Sequence, residues 1–354
     1  MFCFTPSLDP GDAAKQLEKI IISPGFNPAN FQLAVQSLQR MFTSFAACCP
    51  PPWPAPGLLV TPEINLQSEM WLPLAEIQPH FQRLCRSALT YPPIFASCPL
   101  TRAASWAAFV ASFPAFLRGI TNPARLLEKL SQDADLREKF LFWSFMPHRF
   151  YGSSTMRYPA QMEFIRQWLS VNKKRPSIRI LDAASGDGGT TYDLTRLLLE
   201  AGLAPETLEI EGWTLEPLEV WSAAFGRFPH EHGREAAFRL SAASVFSSKA
   251  NKRIRFCSAD LREKSLIFNN GHFDLILCNG LLGGPIMNRK DELLKVVENL
   301  ADLLPAGGIL LAADHFHDGW KKKIPEEALG DLFKQTGLMV IQAGEGLCGL
   351  KPDQ

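Results

Sequence analysis

The stretch Ile178-Arg179-Ile180-Leu181-Asp182-Ala183-Ala184-Ser185-Gly186-Asp187-Gly188-Gly189-Thr190-Thr191-Tyr192-Asp193-Leu194 decides the fold. An apolar β-type run ends in an acid, passes through a turn of small residues and enters a helical pattern over Thr191–Glu200. Glycines lack Cβ, so backbone in this turn can approach a ligand closely, and the helix behind it presents unpaired N–H groups. The glycines fall at 186, 188 and 189, which is not the G-x-G-x-x-G spacing of a dinucleotide turn. Asp187 repels a phosphate, so the turn suits a cationic or hydroxylated ligand.

Outward from this stretch, apolar runs alternate with helical patterns. The pattern predicts strands over Ile178–Leu181, Leu208–Thr214, Ile254–Cys257, Phe273–Cys278, Ile309–Ala313, Leu338–Gln342 and Leu347–Leu350. Helices are expected from Asn122-Pro123, over Ala134–Trp143 and over Ala160–Val171. Such alternation predicts an α/β domain with a Rossmann-like, mostly parallel sheet of seven strands and a ligand at the C-terminal strand edge.

Further acids close the later strands. Glu216 follows the second, in Trp213-Thr-Leu-Glu216-Pro-Leu-Glu219. Asp260 follows the third, before Leu261, and Asn279 follows the fourth. With Leu304-Pro305-Ala-Gly307-Gly308, these pieces resemble class I S-adenosylmethionine (SAM) methyltransferases, whose first motif is an acid followed by x-G-x-G-x-G. Asp182-Ala183-Ala184-Ser185-Gly186-Asp187-Gly188 matches it, with Ala184 in the first glycine slot. The resemblance implies SAM as cofactor. Asp182, Ala184, Ser185, Gly186, Asp187 and Gly188 would wrap its methionine part, Glu216 would bond the ribose hydroxyls, and Asp260 with Leu261 would take the adenine. Asn279 would stand near the methyl group. Glu219, one helical turn on, is expected on a solvated face.

A narrower resemblance is to the chemotaxis receptor-glutamate methyltransferases (CheR type). Ser153-Ser-Thr-Met-Arg157-Tyr-Pro159-Ala-Gln161 is similar to that family's T-x-F-F-R-D-P-x-x segment, and Ala224-Phe-Gly226-Arg-Phe228-Pro229 to its A-x-x-G-x-Y-P. Gly188-Gly-Thr-Thr-Tyr192 resembles its G-E-E-P-Y without both glutamates and the proline. The family's small β-subdomain after the second strand is absent, and so is the aromatic after its fourth. The resemblance implies methyl transfer to a carboxylate of a protein glutamate, with Arg157 orienting the acceptor or the SAM carboxylate and Tyr192 and Asn279 lining the methyl site. Two other readings stay open: a small-molecule O- or N-methyltransferase, and a non-catalytic SAM-binding module.

The first 120 residues differ in kind. They hold 7 basic and 6 acidic residues, against 59 charged residues in the other 234, and 16 of the 27 prolines. This shift predicts a domain boundary near 120, with a helical, proline-rich accessory domain over 1–120 and the methyltransferase domain with its lead-in helices over 121–354. A helix is expected over Asn30–Phe42, and a rigid connector or groove ligand over Pro50–Pro56. Pro73, Pro79, Pro92, Pro93 and Pro99 are expected to keep later helices short. A surface so poor in charge is expected to pack on the catalytic domain as a lid or cap, or to bind the acceptor or a partner.

Formal net charge is zero, which gives no global attraction to nucleic acid or anionic membrane. The longest apolar stretch, Trp106–Phe116, contains Pro114 and falls short of the roughly 20 residues of a membrane span. Residues 1–10 lack the features of a secretory signal. The eight cysteines form no C-x2-C pair, so reduced thiols in a cytoplasm are the expectation and structural zinc is not. His148 is a further candidate for the cleft. His315 and His317 form an H-x-H pair with no third ligand in view, so no metal is expected.

Overall fold

A computed structural model of the chain describes residues 1–23, 25–49, 53–57, 59–146, 157–172, 176–264, 271–284, 287–314 and 324–353. Its described residues divide into two compact units, one of residues 1–13, 150–227 and 233–354, the other of residues 14–149 and 228–232.

The first unit is built on one sheet. Its strands are β1 (Cys3–Phe4), β2 (Ile178–Asp182), β3 (Leu208–Thr214), β4 (Ile254–Ser258), β5 (Leu275–Leu277), β6 (Ile309–Ala313), β7 (Met339–Ala343) and β8 (Gly346–Leu350). Their order is β1-β4-β3-β2-β5-β6-β8-β7. β4, β3, β2, β5 and β6 run parallel, while β8 is antiparallel to both neighbours and β1 antiparallel to β4. The chain steps outward from β2 through β3 to β4, then returns to β5 on the other side of β2. That reversal makes a topological switch point, where the carboxyl ends of an open α/β sheet leave a crevice.

The expected seven strands are all present, so the α/β architecture is as read. Helices that carry the chain back follow β2 (Gly189–Glu200), β3 (Pro217–Phe225 and His232–Ser247), β5 (Lys290–Asp302) and β6 (Glu326–Gln335). Burial on both faces explains the nearly unbroken apolar runs. Leu181, Ile276, Val296, Leu300, Leu310 and Phe333 are fully buried in one cluster of the sheet.

The eighth strand was not expected. Two residues carry no periodicity, so β1 is invisible locally. It pairs Cys3 with Cys257 and Phe4 with Phe256, and a disulfide joins Cys3 to Cys257. The expectation that all eight cysteines are reduced is corrected at this pair; the other six are free. Ser258 donates its N–H to the Phe2 carbonyl at 2.7 Å, and Trp221 Nε1 donates to the Ala13 carbonyl at 2.9 Å. These bonds bind residues 1–13 to the sheet.

The second unit is helical, with helices Gln32–Cys48, Pro62–Trp71, Leu74–Ala88, Trp106–Ala111, Pro123–Gln132 and Ala134–Phe145 among its elements. The division does not follow the composition break near 120. Pro123–Gln132, capped by Asn122 accepting from Ala124 N at 2.8 Å, buries Leu126, Leu127 and Leu130 in this unit, while residues 1–13 belong to the other. Pro79 also departs from expectation: it lies inside the 15-residue helix Leu74–Ala88. One backbone bond is lost there, and burial of Leu74, Ile77, Phe81, Leu84 and Ala88 along one face offsets it. Trp106, Phe109, Phe113, Phe140 and Trp143 form an aromatic core. Pro50–Pro52, His148, His315 and His317 lie outside the described residues. No helix among the described residues is long and apolar enough to cross a membrane.

Candidate active site

The C-terminal edges of the parallel strands bring most of the candidate residues to one side of the sheet. After β2, the Ala183 N–H donates to the Leu277 carbonyl at 2.7 Å and the Ser185 N–H to the Trp213 carbonyl at 3.0 Å, which pins the turn across its two neighbouring strands. Gly186 has φ +51° and Gly188 φ +85°, both left-handed, a region where a Cβ is penalised. Ser185 is buried, and its Oγ has no hydrogen-bond partner among the described residues. An orphaned hydroxyl of this kind calls for a polar ligand atom or water.

Asp182 is buried and accepts from Thr191 Oγ1 at 2.8 Å, so the strand-end acid braces the helix behind the turn. Ala184 and Asp187 are half-buried. Asp187 accepts the Gly189 N–H at 3.3 Å and is met by the guanidinium of Arg234. Arg234 therefore offsets the charge that Asp187 places in the turn. It comes from 47 residues further along, and nothing local in the sequence marks it.

Gly188 is required by packing. A Cβ there would sit 2.9 Å from Ala223 Cβ and 2.9 Å from the Phe256 ring. A Cβ on Gly212 would meet the same ring at 2.5 Å. Phe256 thus fills the space under the turn. Tyr192 belongs to that cluster: it is 2% exposed, and its ring packs on Phe238, Phe246 and Phe256. Its hydroxyl donates to the Ala223 carbonyl at 2.9 Å, and burial pushes its pKa well up. The structure buries Tyr192 in this aromatic cluster, with its hydroxyl paired inside the protein.

Glu216 caps the helix Pro217–Phe225, accepting the Leu218 N–H at 3.1 Å, and remains half-buried at the end of β3. Glu219 is not on a solvated face. It is 6% exposed and accepts from Thr214 Oγ1 at 2.6 Å, because every residue of the helix Pro217–Phe225 is buried. Asp260 is gripped by Arg262, with Nε to Oδ1 at 2.9 Å and Nη2 to Oδ2 at 2.7 Å. The hydrogen bond from Arg262 holds its carboxyl below the usual range, with burial opposing. The folded value being depressed, this pair's stabilisation is present above about pH 4 and fades as pH falls through the lowered value. Leu261 is buried, its carbonyl accepting from Asn299 Nδ2 at 2.8 Å.

Asn279 ends β5. Its amide bonds Gln161 and the Ala313 N–H. Arg157 is half-buried, two residues ahead of the helix Pro159–Asn172 that carries Gln161. A small cleft of about 60 Å³ opens past β5, β6 and β8, lined by Cys278, Leu282, Asp314, Glu326 and Glu345 among others. Burial, with the nearby Asp182 carboxylate adding to it, pushes the Cys278 thiol so far up that it stays protonated. Cys278 is thus a packing residue and not a nucleophile.

No family model matches the chain. It is 23% identical over 199 residues to the probable biofilm formation methyltransferase WspC of Pseudomonas putida, over 52% of this chain and 47% of that protein. The chain therefore spans about half the length of this curated relative. Among solved structures, it is similar to an O-methyltransferase family protein from Burkholderia thailandensis (15% identity, 64% of this chain and 62% of that one, TM-score 0.35). It is also similar to the N-methyltransferase NodS from Bradyrhizobium japonicum (13% identity, 56% and 99%, TM-score 0.35). A third likeness is to a magnesium protoporphyrin IX methyltransferase from Synechocystis with bound SAM (16% identity, 54% and 77%, TM-score 0.35).

Proposed function

We propose that this chain is a SAM-dependent methyltransferase. One observation carries the reading: Asp182, Glu216 and Asp260 stand at the carboxyl ends of three adjacent parallel strands, beside a turn whose Gly186 and Gly188 are left-handed. A ribose diol, an adenine amino group and an ammonium all seek acceptors, and these carboxylates supply them. The orphaned Ser185 Oγ fits a ligand with polar atoms at the turn. The likeness to WspC supports the same reading.

Bound SAM supplies a methyl group activated by its sulfonium. This chain's own part is alignment and exclusion of water. The turn over Ala184–Gly188 holds the methionine portion, Glu216 the ribose, and Asp260 with Leu261 the adenine. Arg157 orients a carboxylate, either that of SAM or that of the acceptor. An ionised carboxylate acceptor needs no general base. We take a carboxylate, of the protein-glutamate kind that the CheR resemblance implies, as the first acceptor class. Asp314 and Glu326 in the cleft lining favour a second class, a neutral hydroxyl acceptor that two acids do not repel.

Tritiated SAM incubated with host extract tests both. Label that alkali releases as methanol marks a methyl ester; base-stable label in small molecules marks an ether. Retention of SAM with no transfer to any fraction would leave a binding module and overturn the enzyme reading.

Glu216→Ala is expected to weaken SAM by about 1–3 kcal/mol, the scale of a charge-assisted hydrogen bond. Glu219→Ala is expected to lower the melting temperature while leaving SAM affinity nearly intact, because its carboxylate serves Thr214 inside the fold. Calorimetry on both variants checks this; a larger loss of affinity at Glu219 would move the ribose contact there.

A further inference from the structure

The Asn279 amide is oriented by a donor that cannot reverse. Its Oδ1 accepts the backbone N–H of Ala313 at 2.9 Å. A backbone N–H only donates, so this bond decides which end of the amide faces β6. The Asn279 Nδ2 then donates to Gln161 Oε1 at 2.7 Å, and Gln161 Nε2 donates back to Asn279 Oδ1 at 3.2 Å. Both lone-pair directions of Oδ1 are taken by protein donors. Among the described residues, the polar capacity left on the Asn279 side chain is one Nδ2 N–H.

Gln161 is itself held. It is 0% exposed, in the first turn of the helix Pro159–Asn172. Glu345 caps that turn with both oxygens, Oε1 accepting the Ala160 N–H at 2.8 Å and Oε2 the Gln161 N–H at 2.7 Å. A carboxylate at a helix N-terminus meets unpaired N–H groups and the positive end of the dipole. Glu345 reaches there from the two-residue turn Gly344-Glu345, where Ala343 pairs with Gly346. Gly344 has φ +63°, as a type II′ hairpin wants at its first position, and a Cβ on it would run into the backbone of Ala160 and Gln161. The hairpin turn, the helix start and Asn279 thus form one braced unit at the strand edge.

We propose that Gln161 and Glu345 are positioning residues that hold Asn279 as a hydrogen-bond donor toward the methyl acceptor, and that this selects an oxygen nucleophile over an amine. An oxygen keeps a second lone pair for the Asn279 N–H while the first attacks the methyl carbon. A neutral amine has one lone pair, which the attack uses, and its N–H groups need acceptors that the Asn279 side chain does not offer. The inference rests on the methyltransferase reading and deepens it.

The test uses the full chain, tritiated SAM and host extract as the acceptor source, with SAM affinity measured separately by calorimetry. Gln161→Leu and Glu345→Ala are expected to lower the initial rate at saturating SAM tenfold or more. SAM half-saturation and dissociation constants should stay within about twofold. Glu345→Gln keeps one acceptor oxygen and should recover part of the rate, which a general loss of folding would not allow. The Asn279→Asp variant, which loses the donor, should lose most transfer. Transfer by the wild type at a rate that Gln161→Leu leaves unchanged would overturn this inference alone. Recovery of the wild-type label as N-methyl groups after acid hydrolysis would do the same. Absence of SAM binding by the wild type would overturn it together with the methyltransferase reading.

Discussion

Gly186→Val is expected to weaken SAM binding by about a hundredfold or more while the sheet still folds. Gly186 sits at φ +51° between β2 and the helix Gly189–Glu200. A β-branched residue in the left-handed region costs about 1–3 kcal/mol, so the backbone will leave that conformation or strain its neighbours. Each 1.4 kcal/mol is tenfold in affinity. The side chain adds a second effect by standing on the surface that the ligand's backbone contacts require. Calorimetry against SAM, with circular dichroism to establish folding, reads the result. A folded variant with the wild-type dissociation constant would remove Gly186 from the site.

Cys3→Ser is expected to cost about 2–4 kcal/mol of stability, read as a lower urea midpoint under non-reducing conditions. β1 is two residues long and joins the edge of the sheet beside β4. A ladder so short holds weakly without a covalent tie. The disulfide to Cys257 closes a loop across 254 residues, which restricts the unfolded chain. The same assignment predicts a thiol titration of six groups in denaturant without reductant, and eight after reduction. Eight thiols before reduction would remove the bond, and Cys3→Ser would then behave as the wild type.

The sheet was legible because its strands are buried on both faces and its helices are regular. All seven expected strands occur within a few residues of their predicted ends. The places of Asp182, Glu216, Asp260 and Asn279 at strand ends were legible, because each closes or follows an apolar run that forms a strand. The site was not legible where a role depends on what packs from elsewhere. Tyr192 and Glu219 are polar residues on helices, and periodicity alone does not say that Phe256 or Thr214 waits beside them.

Strand alternation, the glycine turn and the acids at strand ends are local properties. Hydrophobic period, turn chemistry and side-chain charge act over a few residues, so the sequence by itself determined the α/β class and which residues close its strands. Three features join residues distant in the chain: the pairing of Cys3 with Cys257, the meeting of Arg234 with Asp187, and the brace from Glu345 through Gln161 to Asn279. No local pattern encodes such pairs, because each is selected by packing of the whole unit. Only the tertiary structure therefore decided which way the Asn279 amide faces at the strand edge.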